Sequence, residues 1–408
     1  MKIALVHDYI KEYGGAERVL EALHELYPDA PVYTSVYLPS YLGPHKERFR
    51  NWNIKTSWAQ WLPFKAKLIS PLRLISPLLF RQFDFSGFDV VIVSATGAYF
   101  PNSIRRNKKK EIRNKQNDSP LATANKPVHI CYCHTPPRYL YGYATAREWK
   151  KNVVFRIVGA IANHFLRMVD FTASQNVDQY IANSEEVKKR IQKFYRREAV
   201  VIYPPVNISA KFEVRSSKFK NNNSYFLAGG RLARPKHIDL IVEACIRLKL
   251  PLKVFGKGFA GYEDELRSSA NGKWQIANGE KNPLVEFVGE VSDEEKLELM
   301  AGAKAFLFAS EDEDFGIVPV EAMSVGTPVI AYKSGGVKET VIDPSAGSGQ
   351  VTGIFFEELT VESLVDAIKR FEKLKISTEE CRKQAEKFSK ERFLKEIADF
   401  IKRKGYPH

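Results

Sequence analysis

The chain has 408 residues, 44% hydrophobic and 27% charged, with a formal net charge of +14. That is too long for one typical hydrophobic core, so two domains are expected, in an ordinary globular composition. No uncharged run of about 18 apolar residues is available to span a bilayer, which excludes a membrane-spanning helix. The first strand starts at Lys2 with no signal peptide before it, so the expected location is cytoplasmic, with a peripheral place on the inner face of the cell membrane.

In chain order, short β-branched and aliphatic runs alternate with amphipathic stretches, the pattern of a parallel α/β architecture. Strands are expected near residues 2–6, 32–35, 90–93, 129–133, 179–182 and 200–202, with helices at 16–26 and 185–194. Residues 105–126, rich in Lys, Arg and Asn, read as a solvated loop. Tyr203-Pro204-Pro205 and the polar run 216–224 mark a linker. A second series follows near 225–228, 252–255, 285–288, 305–308 and 329–331, and the chain closes on amphipathic helices. The expected division is 1–206, 207–388 and a final helix, 389–408.

Charge is unevenly shared. Residues 1–205 carry 31 Lys and Arg against 17 Asp and Glu; residues 206–408 carry 31 of each. The excess gathers with aromatics around Trp58, Trp61, Phe64, Lys65 and Lys67, continues through Arg73 and Arg81, and recurs in Trp149-Lys150-Lys151 with Phe155 and Arg156. Basic residues interleaved with Trp, Phe and Leu suit an anionic membrane surface. Core-packed helices with snorkelling lysines are the competing reading. A nucleic-acid partner is not expected. Of the four cysteines, only Cys131 and Cys133 are close, expected on opposite faces of their strand. No zinc spacing exists, and buried thiols are expected.

The most informative stretch runs from Glu313-Asp-Phe315-Gly316-Ile317 through Glu321 to Gly335-Gly336. Its pattern reads as loop, helix, strand. Two carboxylates there can grip vicinal hydroxyls, and backbone N–H groups of Phe315, Gly316 and Ile317 at the helix's positive end suit phosphate. A sugar nucleotide fits both features, although a Glu pair alone reads rather as two solvated glutamates on a surface helix. Upstream, Gly229-Gly230-Arg231 leads through Arg234-Pro235-Lys236 into a helix, so Arg231 and Lys236 can both reach an anion at its N-terminus. Gly14-Gly15 stands between the first strand and helix, where a backbone approach to a ligand competes with a plain turn. His134 follows the strand at 129–133, and α/β sheets bind ligands at such strand ends. Arg138, four residues on, suits an acidic acceptor or simply fixes its loop.

Two further patterns are set aside. Gly256-Lys-Gly258-Phe-Ala-Gly261 fits a dinucleotide fingerprint but follows the second strand of its domain, so Gly256 is read as part of a loop beside a nucleotide. Asp312-Glu-Asp314 fits a D-x-D metal pattern, yet no third ligand is adjacent, and no metal is expected.

Taken together, His7-Asp8-Tyr9 with Gly14-Gly15-Ala16-Glu17, His134-Thr-Pro-Pro-Arg138-Tyr-Leu, and the stretch from Glu313 to Met323 resemble retaining GT-B glycosyltransferases of family four, in particular bacterial and archaeal mannosyltransferases of surface-polysaccharide assembly. The resemblance implies two Rossmann-like domains facing a cleft, with the C-terminal helix crossing back to the N-domain. It implies transfer of a hexose from a nucleoside diphosphate sugar, GDP-mannose leading, to a saccharide or lipid-linked saccharide, with retention and without a cofactor or metal. In that family's terms Arg231 and Lys236 bind the pyrophosphate, Glu313 the sugar hydroxyls and Glu321 the ribose. His134 contacts the transferred sugar, and Gly14-Gly15 lies beside the donor. A UDP- or ADP-sugar enzyme, and a nucleotide-sugar-binding module without turnover, remain as alternatives.

Overall fold

The computed structural model describes the chain except residues 106–125, 146–152, 209–223, 260, 267–283, 348 and 404–408, and gives the backbone alone for 153–156. The basic loop, the linker run and the cluster Trp149-Lys150-Lys151 with the Phe155 and Arg156 side chains therefore lie largely or wholly outside the described residues.

The chain forms two compact units. The first takes in Met1–Gly142, Asn152–Pro205 and Phe393–His408; the second takes in Tyr143–Lys151 and Val206–Arg392. Unit 1 is built on seven parallel strands: β1 (Ile3–His7), β2 (Val32–Thr34), β3 (Ile54–Thr56), β4 (Val90–Ala95), β5 (Val128–Cys133), β6 (Gln179–Ala182) and β7 (Ala199–Val201). Their order is β3-β2-β1-β4-β5-β6-β7, a doubly wound arrangement that reverses between β1 and β4. Unit 2 has six parallel strands: β8 (Tyr225–Gly229), β9 (Leu252–Phe255), β10 (Val285–Gly289), β11 (Ala303–Phe308), β12 (Val329–Tyr332) and β13 (Gly353–Phe356). Their order, β10-β9-β8-β11-β12-β13, reverses between β8 and β11. Eleven of the thirteen strands among the described residues match the sequence pattern. The exceptions are β3, three half-exposed residues on a sheet edge, and β13, a four-residue run behind a glycine-rich loop. Neither shows a period long enough to read.

Central strands such as β1 and β4 are buried along their whole length, as helices on both faces of a parallel sheet require. On one face of the unit 1 sheet the helix Gly15–Leu26 packs Val19, Leu20 and Leu23. The last helix, Lys390–Arg403, joins the same core through Phe393, Ile397, Phe400 and Ile401. These sit at helical spacing, one stripe turned inward, and Phe393 packs edge-on against Tyr132. The chain's end thus belongs to the unit that holds its beginning. The four cysteines are free and buried. Cys131 and Cys133 share one core cluster, which corrects the opposite-face expectation: residues two apart on a strand point the same way.

The opposite layer of unit 1 contains a buried carboxyl. Asp170, in the helix Val153–Gln175, accepts hydrogen bonds from the Tyr141 hydroxyl at 2.8 Å and the Tyr195 hydroxyl at 3.2 Å. Burial pushes its pKa up to about 7, against the two hydrogen bonds that lower it. The folded protein therefore holds this proton where the unfolded chain, at 3.8, has released it. That contribution is present at low pH and is lost as pH rises through about 7. The melting temperature of Asp170→Asn, followed from about pH 5 to about pH 8, should decline less than that of the native chain. Parallel curves would show that Asp170 titrates like an exposed carboxylate.

Candidate functional site

In unit 2 the sequence-marked residues collect on the loops that follow β8, β9, β11 and β12. β8 ends in Gly229-Gly230, and a 3-10 turn, Arg234–Lys236, leads into the helix Ile238–Arg247. The backbone of the next loop lies directly against this one. A Cβ on Gly256, which has φ +124°, would sit 1.7 Å from the Gly230 carbonyl oxygen, and Leu232 N donates to Lys257 O at 2.9 Å. Gly256 is therefore required by the approach of two loops, whatever else the loop touches.

The loop after β11 is tied to the same place, because Glu311 N donates to Pro235 O at 2.8 Å. Lys236 Nζ is ion-paired with the Glu313 carboxylate, which also accepts from Ser310 Oγ at 2.6 Å. The same ammonium stands 5.0 Å from the centre of the Phe308 ring. Behind this loop, Gly335 and Gly336 form its seat. A Cβ on Gly335 would lie 2.0 Å from Glu313 O, one on Gly336 2.4 Å from Asp314 O, and Gly336 N donates to Glu313 O at 2.8 Å. Gly316, at φ +94°, then caps the helix Ile317–Ser324 with no side-chain hydrogen bond to the cap. The first N–H groups of that helix thus keep the positive end of its dipole without a side-chain acceptor at the cap.

Other marked residues are placed differently. Phe315 turns inward and packs edge-on against Phe388, so only its backbone is available to a ligand. Glu321 is buried, 2.7 Å from Lys296 Nζ, which also reaches Asp293 at 3.1 Å. The two glutamates are thus held by different lysines. Arg231 is exposed, its guanidinium 5.1 Å above the Phe259 ring, while Arg234 pairs with Glu265. Asp312, at φ +52°, accepts from Ala144 N at 3.4 Å, and its own N–H donates to Ser334 Oγ. Among the described residues no three His, Cys, Asp or Glu side chains are grouped to hold a metal ion.

In unit 1 the corresponding sheet edge carries Gly14, Gly15 and His134. Gly14 caps the helix Gly15–Leu26, its N–H donating to Glu17 Oε2 at 2.9 Å. His134 is buried just beyond β5; its N–H donates to Ala95 O, and its Nε2 lies 2.9 Å from Ser94 Oγ. Burial, and then the neighbouring His7 ring, push its pKa down to about 3, so the ring is neutral near pH 7. Arg138, half-buried, begins the short helix Arg138–Tyr141.

Two family models match in succession. Glyco_transf_4, described as Glycosyltransferase Family 4, covers residues 13–210, and Glycos_transf_1, described as Glycosyl transferases group 1, covers residues 209–388. The chain belongs to this glycosyltransferase family. It is 26% identical to the alpha-1,3/1,6-mannosyltransferase ALG2 of Mus musculus, over 95% of this chain and 93% of that one. In structure it resembles sucrose-phosphate synthase of Thermosynechococcus elongatus, with a TM-score of 0.67 at 17% identity over 99% of both chains. Anabaena HepE in complex with UDP gives 0.66 at 19% identity, over 99% of this chain and 100% of that one. The fold is GT-B.

Within the glycosyltransferase, three polar neighbours of the marked residues carry no readable sequence signal of their own. Ser94 is a hydroxyl within the apolar strand β4, Ser310 lies beside the acidic run, and Lys296 looks like any helix-surface lysine. Only the fold sets them against His134, Glu313 and Glu321. The Gly256 geometry gives a direct test. Gly256→Ala meets both an overlap with Gly230 O and a left-handed backbone, so urea unfolding should show a loss of about 2 kcal/mol or more. A midpoint equal to the native one would mean that the two loops can separate freely.

Proposed function

We propose that this glycosyltransferase moves mannose from GDP-mannose to a saccharide or lipid-linked saccharide acceptor, with retention of anomeric configuration. The observation that carries the donor site is the Lys236–Glu313 pair, set between the loops after β8 and β11 beside an N-terminus with no side-chain cap. A lysine, an exposed arginine and the positive end of a helix with no side-chain cap suit a diphosphate. A carboxylate beside them suits sugar hydroxyls. Arg231, Lys236 and the N–H groups of Phe315, Gly316 and Ile317 stabilise charge developing on the leaving diphosphate, the usual large term in such catalysis. Glu313 holds sugar hydroxyls, and Glu321, oriented by Lys296, takes the ribose. The Gly256 loop lies beside the nucleotide and the Gly14-Gly15 turn beside the donor. His134 presents a neutral ring to the transferred sugar, and Arg138 meets an acidic acceptor. No metal enters this reading. Mannose is favoured by the similarity to a named mannosyltransferase along nearly the whole chain.

The donor assignment is tested by thermal shift with GDP, UDP, ADP and their hexose conjugates, since a ligand that binds only the folded protein raises its melting temperature. A selective response to GDP and GDP-mannose is expected, and Lys236→Ala should weaken GDP binding at least about tenfold. A response to UDP or ADP species alone would keep the glycosyltransferase and discard mannose. Binding of donor without turnover over a panel of saccharide and lipid-linked acceptors would favour the binding-module alternative.

We also propose that unit 1 meets an anionic membrane on the inner face of the cell membrane, where a lipid-linked acceptor would be reached. Trp61 is 87% exposed and Phe64 78% exposed, with Lys65 and Lys67 adjoining. Phe64 adopts a left-handed backbone, φ +53°. Separately, the helix Val153–Gln175 leaves Ile157, Ile161, Phe165 and Met168 exposed at helical spacing. No helix among the described residues is long and apolar enough to cross a membrane, so contact would be interfacial. Flotation with vesicles containing anionic lipid should carry the protein upward, and Trp61→Ser with Phe64→Ser should reduce the bound fraction severalfold. Equal failure to bind anionic and neutral vesicles would remove the membrane from the proposal.

A further inference from the structure

A buried line of polar groups runs through unit 1 behind His134. His134 Nε2 lies 2.9 Å from Ser94 Oγ, and Ser94 Oγ lies 3.1 Å from His7 Nδ1. His7 Nε2 faces Glu17 Oε1 at 3.5 Å, and the other oxygen of Glu17 accepts the Gly14 N–H at 2.9 Å. His7 and Ser94 are fully buried, and Glu17 and His134 nearly so. Four groups from β1, the first helix, β4 and the turn after β5 are thus joined across the point where strand order reverses.

Such a line has few consistent proton arrangements. Glu17 can only accept, and it already takes the Gly14 N–H. The carboxylate opposite His7 Nε2 favours a proton on that nitrogen, which leaves His7 Nδ1 with a lone pair. Ser94 has one proton, and His7 Nδ1 then receives it. The Ser94 oxygen is left to accept, so His134 must donate from Nε2. The lone pair of His134 falls on Nδ1. If His7 instead carried both protons, the two hydrogen bonds through Ser94 would reverse, and His134 would hold its proton on Nδ1.

We infer that Glu17, His7 and Ser94 are positioning residues that fix His134 as the neutral Nε2–H tautomer, with Nδ1 offered as the acceptor for a hydroxyl of the transferred sugar. The inference rests on the proposed contact of His134 with that sugar. Glu17 has a second task that makes it sensitive to change. In Glu17→Gln one end of the side chain still accepts the Gly14 N–H, so the amide NH2 faces His7. That places a donor where the line needs an acceptor and reverses it.

The test is a long-range proton–nitrogen correlation spectrum of the full chain labelled with 15N-histidine. It carries eight histidines, and the spectra of His134→Asn and His7→Asn assign the two rings. His134 and His7 in the native chain should both appear as Nε2–H tautomers. Glu17→Gln should move both to Nδ1–H, with kcat reduced about tenfold and the donor KM within about twofold. Ser94→Ala should release the His134 tautomer, and Ser94→Thr should restore it. An Nδ1–H signal at His134 in the native protein overturns the inference even if no variant folds, as does a tautomer that ignores both substitutions. The spectrum needs no substrate, so a wrong donor leaves it unchanged. An unaltered kcat in His134→Ala would instead strike the sugar contact itself.

Discussion

Parallel pairing is the constraint on which the rest of this molecule depends. In both units every strand enters the sheet in the same direction, so every strand delivers its carboxyl end to one edge. Where strand order reverses, neighbouring loops diverge to opposite faces and leave a crevice. The loops after β8 and β11 flank one such point, and the Lys236–Glu313 pair spans it. β1 and β4 flank the other, and there His7 meets Ser94. Residues 77 positions apart in the first case and 87 in the second are brought into contact.

Glycine makes the unit 2 edge tight enough to matter. Gly256 lets two loops touch backbone to backbone, and Gly335-Gly336 lets the Glu313 loop rest on the turn after β12. Neither contact involves a side chain of its own, and neither tolerates a Cβ at the distances seen. The gain is rigidity where a carboxylate and an ammonium must hold position without a regular element beneath them. The half-buried placement of the Lys236–Glu313 pair keeps both charges paired while leaving each partly exposed to solvent. Paired charges of this kind add little to stability by themselves.

The two units treat buried polarity differently. In unit 2, Glu321 is neutralised at once by Lys296, so its helix carries no net buried charge there. In unit 1 two buried acids and a buried histidine are held by hydroxyls and backbone N–H groups instead. Asp170 between two tyrosines and His134 behind Ser94 are each pushed by burial towards the neutral form. Asp8, which accepts from Thr96 Oγ1 and from the N–H groups of Ala98 and Tyr99, is raised for the same reason. Desolvation is the common cause, and hydrogen bonds decide which atom keeps the proton.

The sequence by itself determined what local chemistry determines. Strand and helix periods gave the alternating α/β order, and runs of Gly, Glu and Lys at strand ends gave the candidate ligand residues. Clustered charge placed the basic excess in the first half. These are properties of neighbours along the chain. Only the tertiary structure decided partners. That Glu313 is held by Lys236 and Glu321 by Lys296 follows from which strands lie side by side. That Phe315 faces the core while its backbone faces the loop edge depends on Phe388. Gly256 reads in the sequence as part of a loop beside a nucleotide, while the structure shows a steric requirement for glycine there, set by Gly230. His7, Ser94 and Glu17 carry no local signal of a shared line, because the contacts between them exist only once β1, β4 and the first helix have packed.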